Sequence, residues 1–207
     1  MASRRLVLFR HLPTTDDVAD IYTAPSGAPE LSKPNASKIR RIVGELNKFA
    51  SKYHKCTYYA SDNPRGWQTI AHLRAAGLSA EDVIYTKELN NIHQPGWSNL
   101  TQNAVAQTDL YRAWHNDPTS VTFPGGESLV DVQRRVDALI GNAVSPAVLF
   151  SHTTPMQVIL CRVLGLDISR IWSFKFDHYG FTYIFKNVLV RLNSSTLSDF
   201  REESIRE

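Results

Sequence analysis

The chain has 207 residues, enough for one domain that buries a sizeable core without disulfides or metals. A hydrophobic fraction of 43% and a charged fraction of 21% are ordinary for a globular protein and exclude a disordered chain. No apolar stretch approaches membrane-spanning length, and the net charge of +3 comes from scattered lysines and arginines, which argues against membrane and nucleic-acid partners.

In the first part of the chain, apolar runs alternate with segments of helical periodicity. Residues 6–9 (LVLF) form a continuous apolar run, which predicts a strand covered on both faces. Apolar residues recur at helical spacing from Ala36 onward and predict the first long helix. Residues 56–61 then predict a strand, residues 64–76 a helix that begins at a proline, and residues 82–86 a shorter strand.

The middle of the chain, residues 87–124, is rich in turn residues. It predicts an irregular excursion that passes over the sheet edge and the active site. Directly after it, Ser128 and Asp131 have the spacing of a capping box. They predict the start of a helix.

The last third of the chain predicts one more strand and helix, followed by a hairpin. Residues 146–152 (PAVLFSH) predict an apolar strand, and the helix behind it is expected to have Thr153 or Thr154 as its cap. Residues 180–193 predict two strands with the Lys-Asn pair 186–187 near the turn.

Alternating strands and helices favour an α/β fold. We expect a three-layer α/β/α sandwich around a mostly parallel central sheet, with right-handed crossovers. The sequence has no internal repeat and no linker long enough to divide it. A single domain over residues 1–207 is therefore predicted.

Two of the apolar runs end in residues that carry chemistry. The run at 6–9 is followed by Arg10 and His11, and the run at 147–150 by Ser151 and His152. One histidine at a strand end is usually only a polar terminus. In open α/β sheets, however, ligands bind outside the carboxyl ends of the strands, so both histidines are expected at one site.

Two histidines and two arginines predict a site for a phosphoryl group. An imidazole attacks phosphorus when its other nitrogen is held by a hydrogen bond, and His11 is the candidate nucleophile. Arginines match phosphate oxygens with planar, permanently charged forks, which is the role predicted for Arg10 and Arg65. His152 is expected to donate to a phosphate oxygen in the transition state. This chemistry requires no metal and no cofactor.

Four segments, in this order, resemble the histidine phosphatase superfamily, which contains the phosphoglycerate mutases. LVLFRHLPT is similar to its RHG-x-T signature, and SDNPRGWQTI to its second segment, with the phosphate arginine at Arg65. FPGGESLVDVQRRV resembles its PGGES helix entrance, and VLFSHTTPMQVIL its SHG turn. The resemblance implies an α/β/α sandwich in which His11 becomes phosphorylated while Arg10, Arg65 and His152 bind the phosphoryl group.

The sequence departs from the family pattern around both histidines. Leu12 replaces the glycine after the first histidine, and Asp17 replaces an asparagine, where a carboxylate would repel phosphate. Thr14 keeps its place. Thr153 replaces the glycine after the second histidine and still offers its backbone N–H. We expect Thr14 and Thr153 to bind substrate.

A further departure concerns the general acid. At one position, family members often carry a carboxylic acid that protonates the leaving oxygen. This chain has Asn91 at that position. Asn91 can contact the substrate but cannot give up a proton. Either Glu88, His93 or Glu127 is a substitute acid, or the chain has none. Glu127 is in addition expected near the substrate, beside the start of a helix.

The resemblance implies a phosphatase that hydrolyses a small phosphomonoester through a phosphohistidine. Two alternatives stay open. One is a phosphotransferase or phosphatase for activated phosphates, such as phosphohistidine or acyl phosphates, which need no acid. The other is a catalytically weak member that binds a phosphorylated ligand or a protein partner. Aromatic residues such as Trp97, Tyr111 and Trp114 either line the substrate pocket or pack in the core.

Two further features bear on location and assembly. Cys56 and Cys161 lie in apolar segments and predict reduced core thiols. The apolar run near residue 1 is too short for a signal peptide. Together they predict a cytoplasmic protein. The sequence does not fix the oligomeric state, and a homodimer stays open.

Overall fold

The computed structural model describes residues 4–23, 27–54 and 56–197; the other positions of the predicted 1–207 domain lie outside the described residues. Within these ranges, six strands form one sheet: β1 (Arg5–Arg10), β2 (Thr57–Ser61), β3 (Val83–Thr86), β4 (Ala147–Ser151), β5 (Phe181–Phe185) and β6 (Val188–Ser194). The same ranges contain the helices α1 (Thr15–Ala19), α2 (Ala36–Lys52), α3 (Pro64–Ala75), α4 (Gln102–Ala106), α5 (Asp109–Asn116), α6 (Leu129–Asn142) and α7 (Thr153–Val163).

The sheet is mostly parallel, as predicted. Its strand order is β3-β2-β4-β1-β5-β6. The first four strands in this order are mutually parallel, and β5 and β6 are antiparallel additions. The strands β1 and β4 are neighbours. After β1 the chain continues toward β2 on one side of this pair, and after β4 it continues toward β5 on the other side. Such a reversal opens a crevice at the carboxyl ends of the strands.

Helices cover both faces of the sheet, because alternate residues of its central strands point to opposite sides. Val7 and Phe9 of β1 pack in a core with α2 and α3. Leu6 and Leu8 pack in a second core with α6 and α7. The predicted three-layer α/β/α sandwich is confirmed. None of the helices in the described ranges is long and apolar enough to cross a membrane.

Local signals fix several of the element boundaries. Ser128 and Asp131 form the predicted capping box, with hydrogen bonds of 3.0 and 3.2 Å between each side chain and the other residue's backbone N–H. At the β5–β6 turn, Lys186 and Asn187 have φ angles of 49° and 61°, the pair of left-handed residues that a tight hairpin requires. Cys56 and Cys161 are free thiols.

The 87–124 segment is more regular than predicted. Besides 3-10 turns at Lys87–Leu89 and Pro95–Trp97, it contains α4 and α5. Thr101 and Thr108, which count as turn residues in the sequence, are the N-caps of these two helices. The two helices have five and eight residues, too few for a long periodic pattern.

The predicted threonine cap of the last helix was wrong. His152 is the N-cap residue of α7, and among the described residues no side chain forms a cap hydrogen bond there. The backbone of His152 is extended, with φ −127° and ψ 171°, so the helix begins directly at Thr153. The sequence pattern presumed a side-chain cap that α7 lacks.

Candidate active site

The two predicted histidines lie side by side at the carboxyl ends of β1 and β4. These strands are paired in parallel, with Arg10 opposite Ser151, and the backbone N–H of His11 donates to the Ser151 carbonyl over 2.9 Å. The ring centroids of His11 and His152 are 4.9 Å apart. Both residues are buried, at 3% and 1% exposure. One small anion can therefore contact both rings.

The hydrogen bonding of His11 leaves one nitrogen free to react. Its Nδ1 lies 2.8 Å from the carbonyl oxygen of Leu12. A carbonyl only accepts, so Nδ1 carries the proton and Nε2 keeps its lone pair. Burial, followed by the charges of Arg65 and Arg10, holds the pKa of His11 well below its usual value. His11 is thus a neutral imidazole with an unprotonated Nε2, which is the state that a nucleophile needs.

His152 has the opposite arrangement, set by Asn63. The Asn63 Oδ1 accepts from the backbone N–H of Gly66 over 3.1 Å, so its Nδ2 faces His152 Nε2 at 2.9 Å and donates to it. The proton of His152 is then on Nδ1, which is buried and has no partner among the described residues. Burial and the charge of Arg65 keep the pKa of His152 well below normal. The Nδ1–H of His152 is thus a neutral donor that has no acceptor among the described residues.

The approach of α3 to β2 requires a glycine at position 66. A Cβ there would lie 2.2 Å from the Ser61 carbonyl oxygen. Ser61 Oγ in turn lies 2.9 Å from His152 Nε2 and 2.7 Å from Asn90 Oδ1, and its single proton is shared between these two acceptors. The close contact of helix and strand therefore brings Asn63 and Ser61 to the same nitrogen of His152.

Arg65 is a buried guanidinium without a protein partner. It is 7% exposed, and no hydrogen bond or ion pair joins it to any described residue. Burial lowers its pKa to about 10, with Asp17 and Arg10 acting in opposite directions, so it stays charged at neutral pH. An unpaired buried charge is costly, and an anionic ligand would compensate it.

Arg10 is partly neutralised by the protein. It donates to Asp17 Oδ1 over 3.0 Å and to the Phe176 carbonyl oxygen over 3.2 Å. The Asp17 carboxylate also accepts from Thr14, so it is held by several donors. Arg10 nevertheless reaches the cleft described below.

His178 is a residue of the site that sequence reasoning missed. Its Nδ1 donates to the His11 carbonyl oxygen over 2.7 Å, and its Nε2 lies 3.4 Å from Asp17 Oδ1. Burial alone would raise the pKa of Asp17, but the hydrogen bonds from His178 and Thr14 hold it far below normal. Asp17 is therefore ionised and compensated. No signal in the sequence connects residues 17 and 178.

Thr14 and Glu127, two of the predicted substrate contacts, are bonded to other residues of the protein. Thr14 is fully buried and is the N-cap of α1, where its hydroxyl donates to Asp17 Oδ2 over 2.7 Å. Glu127 forms an ion pair with Arg135 at 2.9 Å and accepts from the His93 backbone N–H over 3.0 Å. Neither residue lines the cleft, and the buried His11 and His152 do not line it either. Thr14 and Glu127 hold the chain in place, and Arg135 is half-buried in this role.

A cleft of about 380 Å³ opens at this edge of the sheet. Arg10, Arg65, Asn91 and Thr153 line it, and most of the opposite wall comes from the 87–124 segment. The Oδ1 of Asn91 is buried and has no partner among the described residues. The segment therefore flanks the cleft, and Asn91 lies at the cleft.

The aromatic residues of the 87–124 segment have both of the roles that the sequence left open. Trp97, Tyr111 and Trp114 line the cleft and also pack in the core. Phe123 packs against Trp97, with ring centroids 4.8 Å apart, and does not line the cleft.

None of the three predicted substitute acids lines the cleft. Glu88, His93 and Glu127 do not contribute to it, and Glu88 accepts from Thr86. Asp17 does line the cleft, but its carboxylate is ionised. The geometry therefore provides a nucleophile and anion donors, with an amide at the acid position.

His11, Asp17 and His178 have ligand atoms within 4.8 Å of one another, a grouping that resembles a metal site. Each of these residues already has hydrogen bonds in the ion-pair network, and Arg10 and Arg65 lower the pKa of His11 by their positive charge. The electrostatics of the site suit an anion better than a cation.

Comparison with known proteins gives the following matches. A family model described as the histidine phosphatase superfamily (branch 1) matches residues 6–186. Phosphoserine phosphatase 1 of Hydrogenobacter thermophilus is 28% identical over 200 residues, covering 91% of this chain and 92% of that protein. A protein of Mycobacterium tuberculosis named as bifunctional is 31% identical over 180 residues; the match covers 84% of this chain and 48% of that protein, about half its length.

A solved structure shares the fold. The alpha-ribazole phosphatase from Shigella flexneri matches with a TM-score of 0.77, covering 95% of this chain and 100% of its own. The sequence identity is 20%, so the likeness concerns the fold alone.

Proposed function

The chain belongs to the histidine phosphatase superfamily, and on that premise we propose that it is a phosphatase that hydrolyses a small phosphomonoester through a phosphohistidine at His11. The observation that carries the proposal is Arg65, a buried charge without a partner in the described part of the chain, beside two histidines whose pKa values are lowered by burial and then by the charge of Arg65. The relatives named as phosphatases support phosphatase activity in general.

In the first step, the lone pair of His11 Nε2 attacks phosphorus and the bond from phosphorus to the leaving oxygen breaks. Arg65 and Arg10 neutralise charge on the non-bridging oxygens. The Nδ1–H of His152 donates to one of them, a contribution worth about 10²–10³ in rate for donors of this kind. The products are a phosphohistidine and the alcohol or its oxyanion.

In the second step, water attacks phosphorus and the P–N bond breaks. The electron pair of that bond returns to His11 Nε2, which becomes a neutral imidazole again, and phosphate leaves. The Leu12 carbonyl holds Nδ1 protonated throughout, so the ring presents the same nitrogen in each cycle. No metal takes part in either step.

A second candidate is favoured by the amide at Asn91. Because an amide cannot protonate the leaving oxygen, rates should depend strongly on how stable the leaving group is by itself. Activated phosphates, such as phosphohistidine or acyl phosphates, would then be better substrates than alkyl esters, and a phosphotransferase remains within this class. A member that only binds phosphorylated ligands is the third candidate. Metal independence, cytoplasmic location, lack of nucleic-acid binding and oligomeric state stay predictions.

One experiment separates these candidates. Wild type is assayed on p-nitrophenyl phosphate, whose leaving group needs little protonation, and on a monoalkyl phosphate. Turnover of both supports the phosphomonoesterase, turnover of the aryl ester alone supports the activated-phosphate enzyme, and turnover of neither supports the binding protein. The phosphohistidine is tested by reaction with ³²P-labelled substrate. We expect the wild-type protein to carry a label that is lost in acid and kept in base, and we expect His11→Ala to carry no label. Turnover by His11→Ala near the wild-type rate would remove His11 from the mechanism.

A further inference from the structure

The charged side chains that line the cleft lie at the end where the phosphate group is proposed to bind. They are Arg10, Arg65 and the Asp17 carboxylate that Arg10 already neutralises. Among the described residues that line the cleft there is no lysine, no further arginine and no second carboxylate. The remaining volume is thus surrounded by aromatic rings and uncharged polar groups.

An aromatic wall forms the far side of the cleft. His115 lies between Tyr111 and Trp172, with ring centroids 4.2 and 4.3 Å away, and its ring is almost parallel to that of Trp172, at 8°. Trp172 is 37% exposed, although it takes part in this stack. Tyr22 and Trp97, with centroids 5.1 Å apart, continue the wall.

The wall is uncharged at neutral pH. Burial lowers the pKa of His115, so its ring stays neutral. Gln94 and Gln102 also line this part of the cleft and offer amide groups that both donate and accept hydrogen bonds. Flat rings with neutral hydrogen-bonding neighbours recognise a flat, polar but uncharged ligand.

We propose that the substrate's leaving group carries a flat, uncharged ring that stacks on the wall formed by Tyr111, His115 and Trp172. This inference rests on the proposed phosphatase function and names the substrate class of the same site. A leaving group that bears a carboxylate would lose its hydration and face the negative π-surfaces of the rings. Phosphoserine, which carries a carboxylate, therefore fits this cleft poorly, although one relative is named for it.

The test compares three phosphate esters of primary alcohols: 2-phenylethyl phosphate, n-propyl phosphate and O-phospho-L-serine. Each is used as an inhibitor of p-nitrophenyl phosphate hydrolysis, because the inhibition constant reports binding whether or not the ester is turned over. We expect 2-phenylethyl phosphate to bind at least about tenfold more tightly than n-propyl phosphate, the minimum for burying a phenyl ring. Phosphoserine should bind no better than n-propyl phosphate. The proposal is overturned if 2-phenylethyl phosphate and n-propyl phosphate bind equally well. It is also overturned if phosphoserine binds most tightly.

Variants locate the effect on the wall. Trp172→Ala should reduce the preference for 2-phenylethyl over n-propyl phosphate at least about threefold. Trp67, on α3, is 47% exposed and does not line the cleft, so Trp67→Ala is the matched control and should leave the preference unchanged. If Trp172→Ala does not fold, Trp172→Leu removes the ring and keeps apolar volume. An unchanged preference in the folded variant contradicts stacking at Trp172.

Failure of the phosphatase and failure of the cleft assignment give different results. If wild type does not hydrolyse p-nitrophenyl phosphate, the proposed function fails. Calorimetric titration of the same three esters into wild type then measures their affinities directly. The predicted order of affinities would still support the cleft assignment, and any other order would overturn it.

Discussion

The side-chain amide nitrogen of Asn63 lies 2.9 Å from Nε2 of His152, while the amide oxygen is occupied by the N–H of Gly66. This pair of contacts fixes the tautomer of the second histidine. Asn63 is a positioning residue, because it acts through His152.

Replacing Asn63 by aspartate should make the reaction pH-dependent. The carboxylate still caps α3 but accepts from Nε2, so neutral His152 would carry its proton on the wrong nitrogen. Only the protonated form of His152 then carries a proton on Nδ1, and this form is lost as the pH rises through the pKa of His152. We expect kcat/KM of Asn63→Asp to fall by about 10²–10³ across that titration, while wild type shows no such decline. The check is a pH–rate profile with p-nitrophenyl phosphate, together with ¹⁵N NMR of the His152 ring; identical profiles would contradict the assignment.

Arg65 is predicted to weaken the fold that it serves. Arg65→Met removes an uncompensated buried charge and keeps much of the volume, so the free energy of unfolding should rise by about 1–3 kcal/mol. Phosphate should stabilise the wild type by binding to its native state, and it should not stabilise the variant. Urea denaturation with and without phosphate measures both effects. Arg134→Met, at an exposed ion pair on α6, is the control, and a destabilised Arg65→Met would refute the prediction.

Asn91→Asp should restore a general acid. If the side chain faces the leaving oxygen, rates on alkyl phosphates should rise by about 10². Rates on p-nitrophenyl phosphate should change much less, because its leaving group needs little protonation. The gain should disappear as pH rises through the pKa of the new carboxyl group. Asn91→Ala provides the control without an acid, and equal gains in both variants would exclude proton donation.

Asp17→Asn should lower the stability of the fold and at the same time strengthen the binding of phosphate. The wild-type carboxylate neutralises Arg10 and completes the cap of α1, so the variant should lose about 1–2 kcal/mol of stability at pH 7. Removal of a negative charge from the cleft should at the same time tighten inhibition by phosphate about tenfold.

The pH dependence of that variant follows from the depressed pKa of Asp17. A group whose pKa is lower in the folded state stabilises the fold above its unfolded pKa of about 3.9 and loses this contribution as pH falls further. The difference in unfolding free energy between wild type and Asp17→Asn should therefore be constant near neutral pH and shrink below about pH 4. A difference that grows on acidification would show that Asp17 is not held ionised.

The layers of the fold and the pair of histidines could be predicted because local pattern determines them. Continuous apolar runs specify the central strands, and strand ends specify where polar side chains emerge. Thr14 and Glu127 were expected at the substrate only from their places in motifs. Their side chains instead bond to Asp17 and Arg135, and the direction of a side chain depends on partners that the pattern does not contain.

The residues that hold the histidines could not be predicted, since they are distant in sequence. Asn63 and His152 are 89 residues apart, and His178 contacts His11 across 167 residues. Such contacts exist only after the sheet has formed. The unpartnered state of Arg65 was likewise invisible, although its unfavourable place in the first turn of a helix was a signal of function.

The position of β4 between β1 and β2 affects how this protein acquires activity during synthesis. A ribosome releases β1 and β2 well before β4, and these two strands are not neighbours in the finished sheet. The nascent chain consequently has no anion cradle until β4 inserts and the Ser151 carbonyl meets the N–H of His11. Capture of phosphate would then report insertion of β4 into the sheet, because no earlier folding unit contains both imidazoles.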